Sequence, residues 1–296
     1  MERILGLHHI TTIASDAAAN YDFYVRFLGL RLVKKTVNFD DPGTYHLYYG
    51  DEEGHPGTIM TFFPWPGARR GRPGAGEATG VAFAIPVGSL SFWKSRAETQ
   101  GHHVESLEGR LGDIGLSLRD PDGLRIELVE SGVPGSPRED IPAEAAIGGF
   151  FAATLEIVDL LPTIGLLTGT MGLEPVADDG RRFRFRTVTA PGQFIDLLHV
   201  PSGPWGQLGA GTVHHIAFRA KDDADQLGWR ETLDAAGHEV TEVRDRNYFH
   251  SIYFREPGGV LFEIATDPPG FAVDEPKGTM GERLMLPEWL ESQRVQ

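Results

Sequence analysis

One supersecondary pattern occurs four times along this 296-residue chain, and the repetition constrains the fold more tightly than any single motif. The second and fourth copies are the clearest. One runs VAFAIP, SLSFWKSRAETQGHHVE and IGLSLRDPDGLRIELVE; the other runs HHIAFRA, DDADQLGWRETLDAAGHEVTEV and HSIYFREPGGVLFEIATD. Alternating apolar residues mark the strands, and Trp229, Leu233 and Ala236 keep helical spacing. Tight turns at Asp122-Gly123 and Gly258-Gly259 join the last strands, and Asp222 and Asp223 stand where a helix N-cap belongs. The first copy has HHITTIA, Asp16 as a cap, ANYDFYVRFLGL closed by Gly29, and then RLVKKTVNF, TYHLYYG and TIMTFFP. The third has FFAATLEIV, DLLPTIGLLTGTMGL, RRFRFRTV and QFIDLLHV.

The order βαβββ, repeated, predicts an α+β fold with modules at 1–79, 80–145, 146–206 and 207–270. A C-terminal tail at 271–296 starts extended and ends in a short docking helix. A single module cannot cover both faces of its sheet, so modules must pair. Two Gly/Pro-rich stretches interrupt the pattern, and SGVPGSPREDIPAEAAIGG is expected to divide the halves.

Within the repeat, adjacent histidines precede an isoleucine twice, in GLHHITT and in TVHHIAF. The chain has no cysteine, so any metal must be held by His, Asp or Glu. Neighbouring residues of a strand point to opposite faces, so one histidine of each pair is expected to face away from the other. A lone strand histidine is ordinarily structural. Two at matching points of a repeat favour a metal, the more so because Glu263, on an otherwise apolar strand, needs a cation.

These residues resemble the vicinal oxygen chelate superfamily, the glyoxalase/bleomycin resistance/extradiol dioxygenase group, over nearly the whole chain. Its βαβββ modules pair into cupped sheets around a divalent metal. More narrowly, the stretch from GLHHITTIASD to TIMTFFP and the segment DRNYFHSIYFREPGGVLFEIATDPPGF resemble ring-cleaving dioxygenases of the hydroquinone type. The resemblance implies that the ligand of each pair is the histidine directly before isoleucine, His9 and His215. Aligning the modules sets His9 against Phe83, Ala152 or Ala153, and His215. It also sets Thr61, Glu127, Asp196 and Glu263 at one last-strand position. Modules one and four then supply His9, His215 and Glu263, a set that leaves positions open on a non-haem Fe(II); Mn(II) suits the same donors. Module one must therefore share a sheet with module four, and two with three. Glu127, with no histidine in its module, is expected to be structural.

The resemblance further implies a donor role for Tyr253 and a charge role for Arg246. His8 and His214 would buttress the pocket or handle protons, and Thr11 would share the face of His9. Phe249 and His250 would touch substrate, with Tyr248 and Phe254 as further candidates for the wall. Each has a plainer reading: sheet packing for Tyr253, a surface ion pair with Asp245 or Glu242 for Arg246. The alternating Arg181, Arg182, Arg184 and Arg186 read as a solvated face, and His102, His103 and His238 as a repeated structural turn.

The function implied is Fe(II)-dependent, extradiol-type cleavage of hydroquinone-type or other dihydroxylated rings by O2. Two alternatives share the fold. A glyoxalase-type isomerase or lyase generally uses four protein ligands, and Thr61 replaces the carboxylate that would complete them. The other is a non-catalytic protein that binds small aromatics or drugs. Composition fits a soluble globular protein, with 41 % hydrophobic and 23 % charged residues. The net charge of -15 argues against nucleic-acid and anionic-membrane partners. No apolar run approaches the roughly 20 residues of a membrane span, and MERILGLHHI lacks a signal-peptide pattern. A cytoplasmic location is expected, and a homo-oligomer is compatible with the sequence.

Overall fold

Two eight-stranded sheets carry the chain in the computed structural model, which describes residues 3–107, 110–138 and 140–294. The strands, in chain order, are β1 (Leu7–Ala14), β2 (Arg31–Asn38), β3 (Asp41–Gly50), β4 (Ile59–Pro64), β5 (Glu77–Pro86), β6 (Val104–Ser106), β7 (Gly115–Arg119) and β8 (Arg125–Ser131). They continue as β9 (Gly149–Ile157), β10 (Glu174–Asp178), β11 (Arg182–Arg186), β12 (Phe194–His199), β13 (Val213–Ala220), β14 (Arg244–Asp245), β15 (Phe249–Arg255) and β16 (Leu261–Pro269). The first sheet has the order β14-β15-β16-β13-β1-β4-β3-β2, and the second β10-β11-β12-β9-β5-β8-β7-β6. The first and fourth copies of the repeat therefore share one sheet, and the second and third share the other.

Each sheet has the same internal two-fold pattern. At its centre the first strands of two modules pair antiparallel, β1 with β13 and β5 with β9. Each of these then pairs in parallel with the last strand of its own module: β1 with β4, β13 with β16, β5 with β8, β9 with β12. The helices are α1 (Ala17–Tyr21), α2 (Leu90–Gln100), α3 (Leu160–Gly165) and α4 (Asp223–Ala235). α1 and α3 continue as wider π-helical turns, Asp22–Phe27 and Leu166–Thr170. The Asp16 carboxylate accepts from the Ala19 N–H, and Asp222 does the same for Asp225, satisfying helix-end donors that would otherwise be orphaned. Phe23, Phe27, Trp93, Leu167 and Leu233 from the helical segments bury against Ile10, Phe83, Leu155 and Phe218 of the strands in one continuous core.

That core uses one face of each sheet, and the opposite faces remain as two cups. In the first, the tail lays Phe271 and Met280 against Val33, Tyr48, Tyr248 and Phe249. It is anchored by Lys34, fully buried, whose Nζ donates to Asp274 Oδ1 at 2.5 Å and Glu275 Oε2 at 2.6 Å. The tail then runs past Leu284, which bridges Lys35, to a 3-10 turn at Glu288–Gln293 where Trp289 packs on Phe39. The tail opens on 3-10 turns at Phe271–Val273 and Lys277–Thr279, where an extended segment is expected from sequence. No helix of the described residues is long and apolar enough to cross a membrane.

Candidate metal centre

The first cup draws its side chains from β1 and β13, and the pairing of these strands explains the doubled histidines. Leu7 faces Phe218 and His9 faces Ala217, so one residue of β1, His8, is extra. Thr11 faces His215 and Thr12 faces Val213, so one residue of β13, His214, is extra. Both first histidines are β-bulge residues. A bulge interrupts simple alternation and re-aims side chains, so the neighbouring rings do not point to opposite faces as expected. Instead they lie side by side, with His8 Nδ1 2.9 Å from His9 Nδ1 and His214 Nδ1 2.8 Å from His215 Nδ1.

His9 and His215 turn their Nε2 atoms to a common point. They lie 3.3 Å from each other, and 3.3 Å and 2.9 Å from Glu263 Oε2. All three residues are buried. Glu263 Oε1 accepts a 2.5 Å bond from Ser251, while Oε2 has no hydrogen-bond partner. An orphaned carboxylate oxygen facing two imidazole nitrogens is costly without a cation. Donors about 3.0 Å apart are spaced as neighbours at right angles around one ion with bonds of roughly 2.1 Å. The donor set therefore fits a divalent metal with free positions. Burial pushes the Glu263 carboxyl up, but His9 and His215 outweigh it and hold the group well below the usual carboxylate range. Burial also lowers His215, in spite of Glu263.

A cavity of about 160 Å³ opens from these donors, with His46, Tyr48, Phe63 and Trp65 on the module-one side. His214, Arg246, Phe249 and Tyr253 line the module-four side. Phe63 stacks on Trp65 at 6.1 Å and meets His46 at 4.3 Å, so one wall is a continuous aromatic array. Across from it, the Arg246 Nε donates to the Tyr253 hydroxyl at 3.2 Å, and its guanidinium pairs with Asp40 at 2.9 Å.

The profile of the Glyoxalase/Bleomycin resistance protein/Dioxygenase superfamily matches residues 6–128 and 159–264. The chain belongs to that superfamily. MhqO of Bacillus subtilis (strain 168), provisionally named a ring-cleaving dioxygenase, is 50 % identical over 299 residues, spanning 100 % of this chain and 95 % of that protein. The chlorohydroquinone/hydroquinone 1,2-dioxygenase of Sphingobium indicum is 36 % identical, over 98 % of this chain and 94 % of the enzyme. A crystal structure of a dioxygenase of Bacillus subtilis, so named provisionally, superposes with a TM-score of 0.96 at 49 % identity, over 99 % of this chain and 95 % of that one. Glyoxalase I of Zea mays shares the fold with a TM-score of 0.64 at 15 % identity, over 90 % of this chain and 92 % of the other.

The residues expected from sequence fall in different places around these donors. Tyr253, His214, Arg246 and Phe249 line the cavity, and Phe249 lies 5.0 Å from the His9 ring. His8 is buried behind His9, touching Phe249 at 5.2 Å. Thr11 lies on the same face as His9, bonded to Thr61 at 2.8 Å, and lies outside the cavity lining. His250 does not reach the cavity: its Nδ1 pairs with Asp223 at 2.6 Å at the start of α4. Strand alternation is the reason, since Phe249, Ser251 and Tyr253 share the face that His250 leaves. Arg246 pairs with Asp40, and neither Asp245 nor Glu242 is its partner. Burial, followed by His215, lowers His214 to about 4. Burial and then Glu263 raise Tyr253 above its ordinary value, outweighing Arg246.

His46 escaped the sequence reading. Its Nε2 is 2.9 Å from Thr61 Oγ1 and its Nδ1 2.8 Å from the Tyr48 hydroxyl. Burial, then His9 and His215, push it well below the ordinary imidazole range. The signal was present in TYHLYYG, but no other module repeats a histidine there.

The second cup shows what the architecture does without imidazoles. Glu127 faces Ala82 and Asp196 faces Thr154, as Glu263 faces Ala217. The counterpart of His9 is therefore Gly80, where alignment had suggested Phe83, and the counterpart of His215 is Ala152. Between the two carboxylates sits the Arg110 guanidinium, bonded to Glu127 and 3.2 Å from Asp196. Arg182 and Arg184 also bond Asp196, both buried, which corrects their reading as a solvated face. They line a cup interior, where alternation looks the same as on an exposed sheet. Arginines supply the positive charge here.

Proposed function

We propose that this chain is a ring-cleaving dioxygenase that opens single-ring, dihydroxylated aromatics of the hydroquinone type with O2. Fe(II) would be held by His9, His215 and Glu263, donors that Mn(II) also suits. The observation that carries the reading is the orphaned Glu263 Oε2, facing two imidazole Nε2 atoms in an aromatic-walled cavity. The names of the relatives support the substrate class. When bound, the ion would supply a centre at which a phenolic oxygen and O2 are brought together and electrons pass between them.

The side chains of this protein do the rest. For His9 and His215 to present lone pairs at Nε2, each must carry its proton on Nδ1 and donate it to the histidine before it. That leaves the N–H of His8 and of His214 on Nε2. His214 faces the cavity, so it offers a neutral donor there. The Tyr253 hydroxyl accepts from Arg246 and so keeps its own proton free to donate. Its raised pKa keeps that proton in place at neutral pH. Together Tyr253 and Arg246 would meet negative charge developing on an oxygen with a donor backed by a cation. Phe63, Trp65 and Phe249 line the cavity and would wall the ring. Both atoms of O2 enter the opened product, so no external reductant is needed.

The test is oxygen uptake by anaerobically purified, iron-loaded protein given hydroquinone or catechol. One O2 consumed per ring opened, faster with hydroquinone, is expected. No uptake with any dihydroxybenzene by loaded protein would contradict the reading.

A further inference from the structure

The two-fold pattern of the first sheet relates the halves of the centre residue by residue. Tyr253 faces Glu263 across β15 and β16, and Tyr48 faces Thr61 across β3 and β4. Two residues earlier on these strands stand Ser251 and His46. Ser251 bonds the carboxylate of Glu263; His46 bonds the hydroxyl of Thr61. One arm of the centre thus ends in a carboxylate held by a serine. The other ends in a neutral hydroxyl held by an imidazole. We propose that His46 is a positioning residue that fixes the Thr61 and Tyr48 hydroxyls so that this second arm is reserved for an oxygen of the aromatic substrate.

Four contacts support the assignment. Both ring nitrogens of His46 are engaged, Nε2 by Thr61 and Nδ1 by Tyr48, so the ring is oriented and has no nitrogen left for a metal. The Thr61 hydroxyl is bonded a second time, to Thr11 at 2.8 Å, and lies buried outside the cavity lining, so it acts on the cavity through His46. His46 and Tyr48 line the same cavity as the three metal-fitting residues, with their rings 4.0 Å apart. The Tyr48 hydroxyl, once paired with His46, keeps either a proton or a lone pair for a ligand, according to the imidazole tautomer. A polar arm without a metal ligand, set beside an aromatic wall, matches the hydrogen-bonding chemistry of a phenolic oxygen. The proposal rests on the reading that this cavity takes hydroxylated aromatics.

The experiment is anaerobic titration of hydroquinone into metal-loaded protein, with bound metal quantified alongside. In His46→Phe, which keeps the aromatic wall and removes both bonds, metal content should match the parent while hydroquinone affinity falls about tenfold. His46→Gln, whose amide nitrogen can replace Nε2 at Thr61, should recover most of that loss. Thr61→Val should reproduce the loss, and adding it to His46→Phe should make little further difference, as for residues acting as a unit. Parent affinity in a folded, metal-loaded His46→Phe protein overturns the proposal and leaves the functional reading standing. So does equal loss of metal and hydroquinone in every variant, which marks a merely structural role. No hydroquinone binding by the parent protein overturns both.

Discussion

His9 and His215 are separated by 206 positions in the chain, yet their Nε2 atoms lie 3.3 Å apart. The approach is possible because β1 and β13 are neighbours at the middle of one sheet. Each brings its histidine to the concave face through a bulge at the histidine before it.

Acid should loosen the metal-free protein through these rings. An unfolded imidazole protonates near 6.5, whereas folded His214 does so only near about 4. The unfolded state binds more protons across that window, so stability falls as pH drops from about 6.5 to about 4 and is level above it. His214 alone should contribute on the order of 2 kcal/mol after allowance for solvent at its exposed edge. His8, His46 and His215 shift in the same direction. Urea unfolding between pH 4 and 8 measures the slope, which should be shallower in His214→Gln. An unchanged slope would contradict this.

Glu77 acts with the opposite sign. Burial, with Glu156 nearby, raises it from 4.5 to about 7, and its Oε2 has no partner. The folded state then binds more protons between those values, so this group lowers stability as pH rises through them. Glu77→Gln should raise Tm at pH 8, by about 1 kcal/mol in stability given its partial exposure, and leave Tm at pH 4 unchanged. A loss of stability at pH 8 would show the carboxylate to be favourable instead.

Arg110 tests the second cup. Removing it leaves Glu127 and Asp196 buried with less compensating charge, so Arg110→Ala should lose about 3–5 kcal/mol. Oxygen uptake per folded, iron-loaded chain should stay near the parent value, because the first cup keeps all its residues. Denaturant titration and uptake on the same sample check both. Normal stability would mean that Arg182 and Arg184 suffice.

Lys34→Met should free the tail. It leaves the buried Glu275 carboxylate without its cation and Asp274 with only its bonds from Tyr248 and Asn247, at a cost of about 3–5 kcal/mol. It should also loosen Phe271 from Tyr48, raising KM more than it lowers kcat. Faster proteolysis after residue 270 would accompany this, and an unchanged cleavage rate would argue against the anchor.

The architecture and the three converging donors were legible because they repeat. Strand alternation, Asp caps and Gly29, at φ 77° after the first helical segment, are local signals read in their own windows. What repetition could not reveal is what differs between copies. His46 has Ser251 as its counterpart, so comparison of the modules passed it over. Gly80 was missed because β5 bulges at Thr79 and β9 at Phe151, shifting the register by one at each point. His250, which the resemblance places with the substrate, is turned away because alternation separates its face from that of Phe249. Arg182 and Arg184 look like surface residues because a charged cup interior and a solvated sheet share period two. Lys34 gave no signal at all, since its partners lie in the tail.

The convergence of His9, His215 and Glu263 implies a single metal centre built jointly by the first and fourth modules. The most direct measurement is bound iron per chain after anaerobic reconstitution, in the parent protein, His9→Ala, His215→Ala, Glu263→Gln and Glu127→Gln. One ion is expected in the parent and in Glu127→Gln, and none in the other three at the same concentration. Two ions in the parent, or an ion retained by folded His9→Ala, would contradict it.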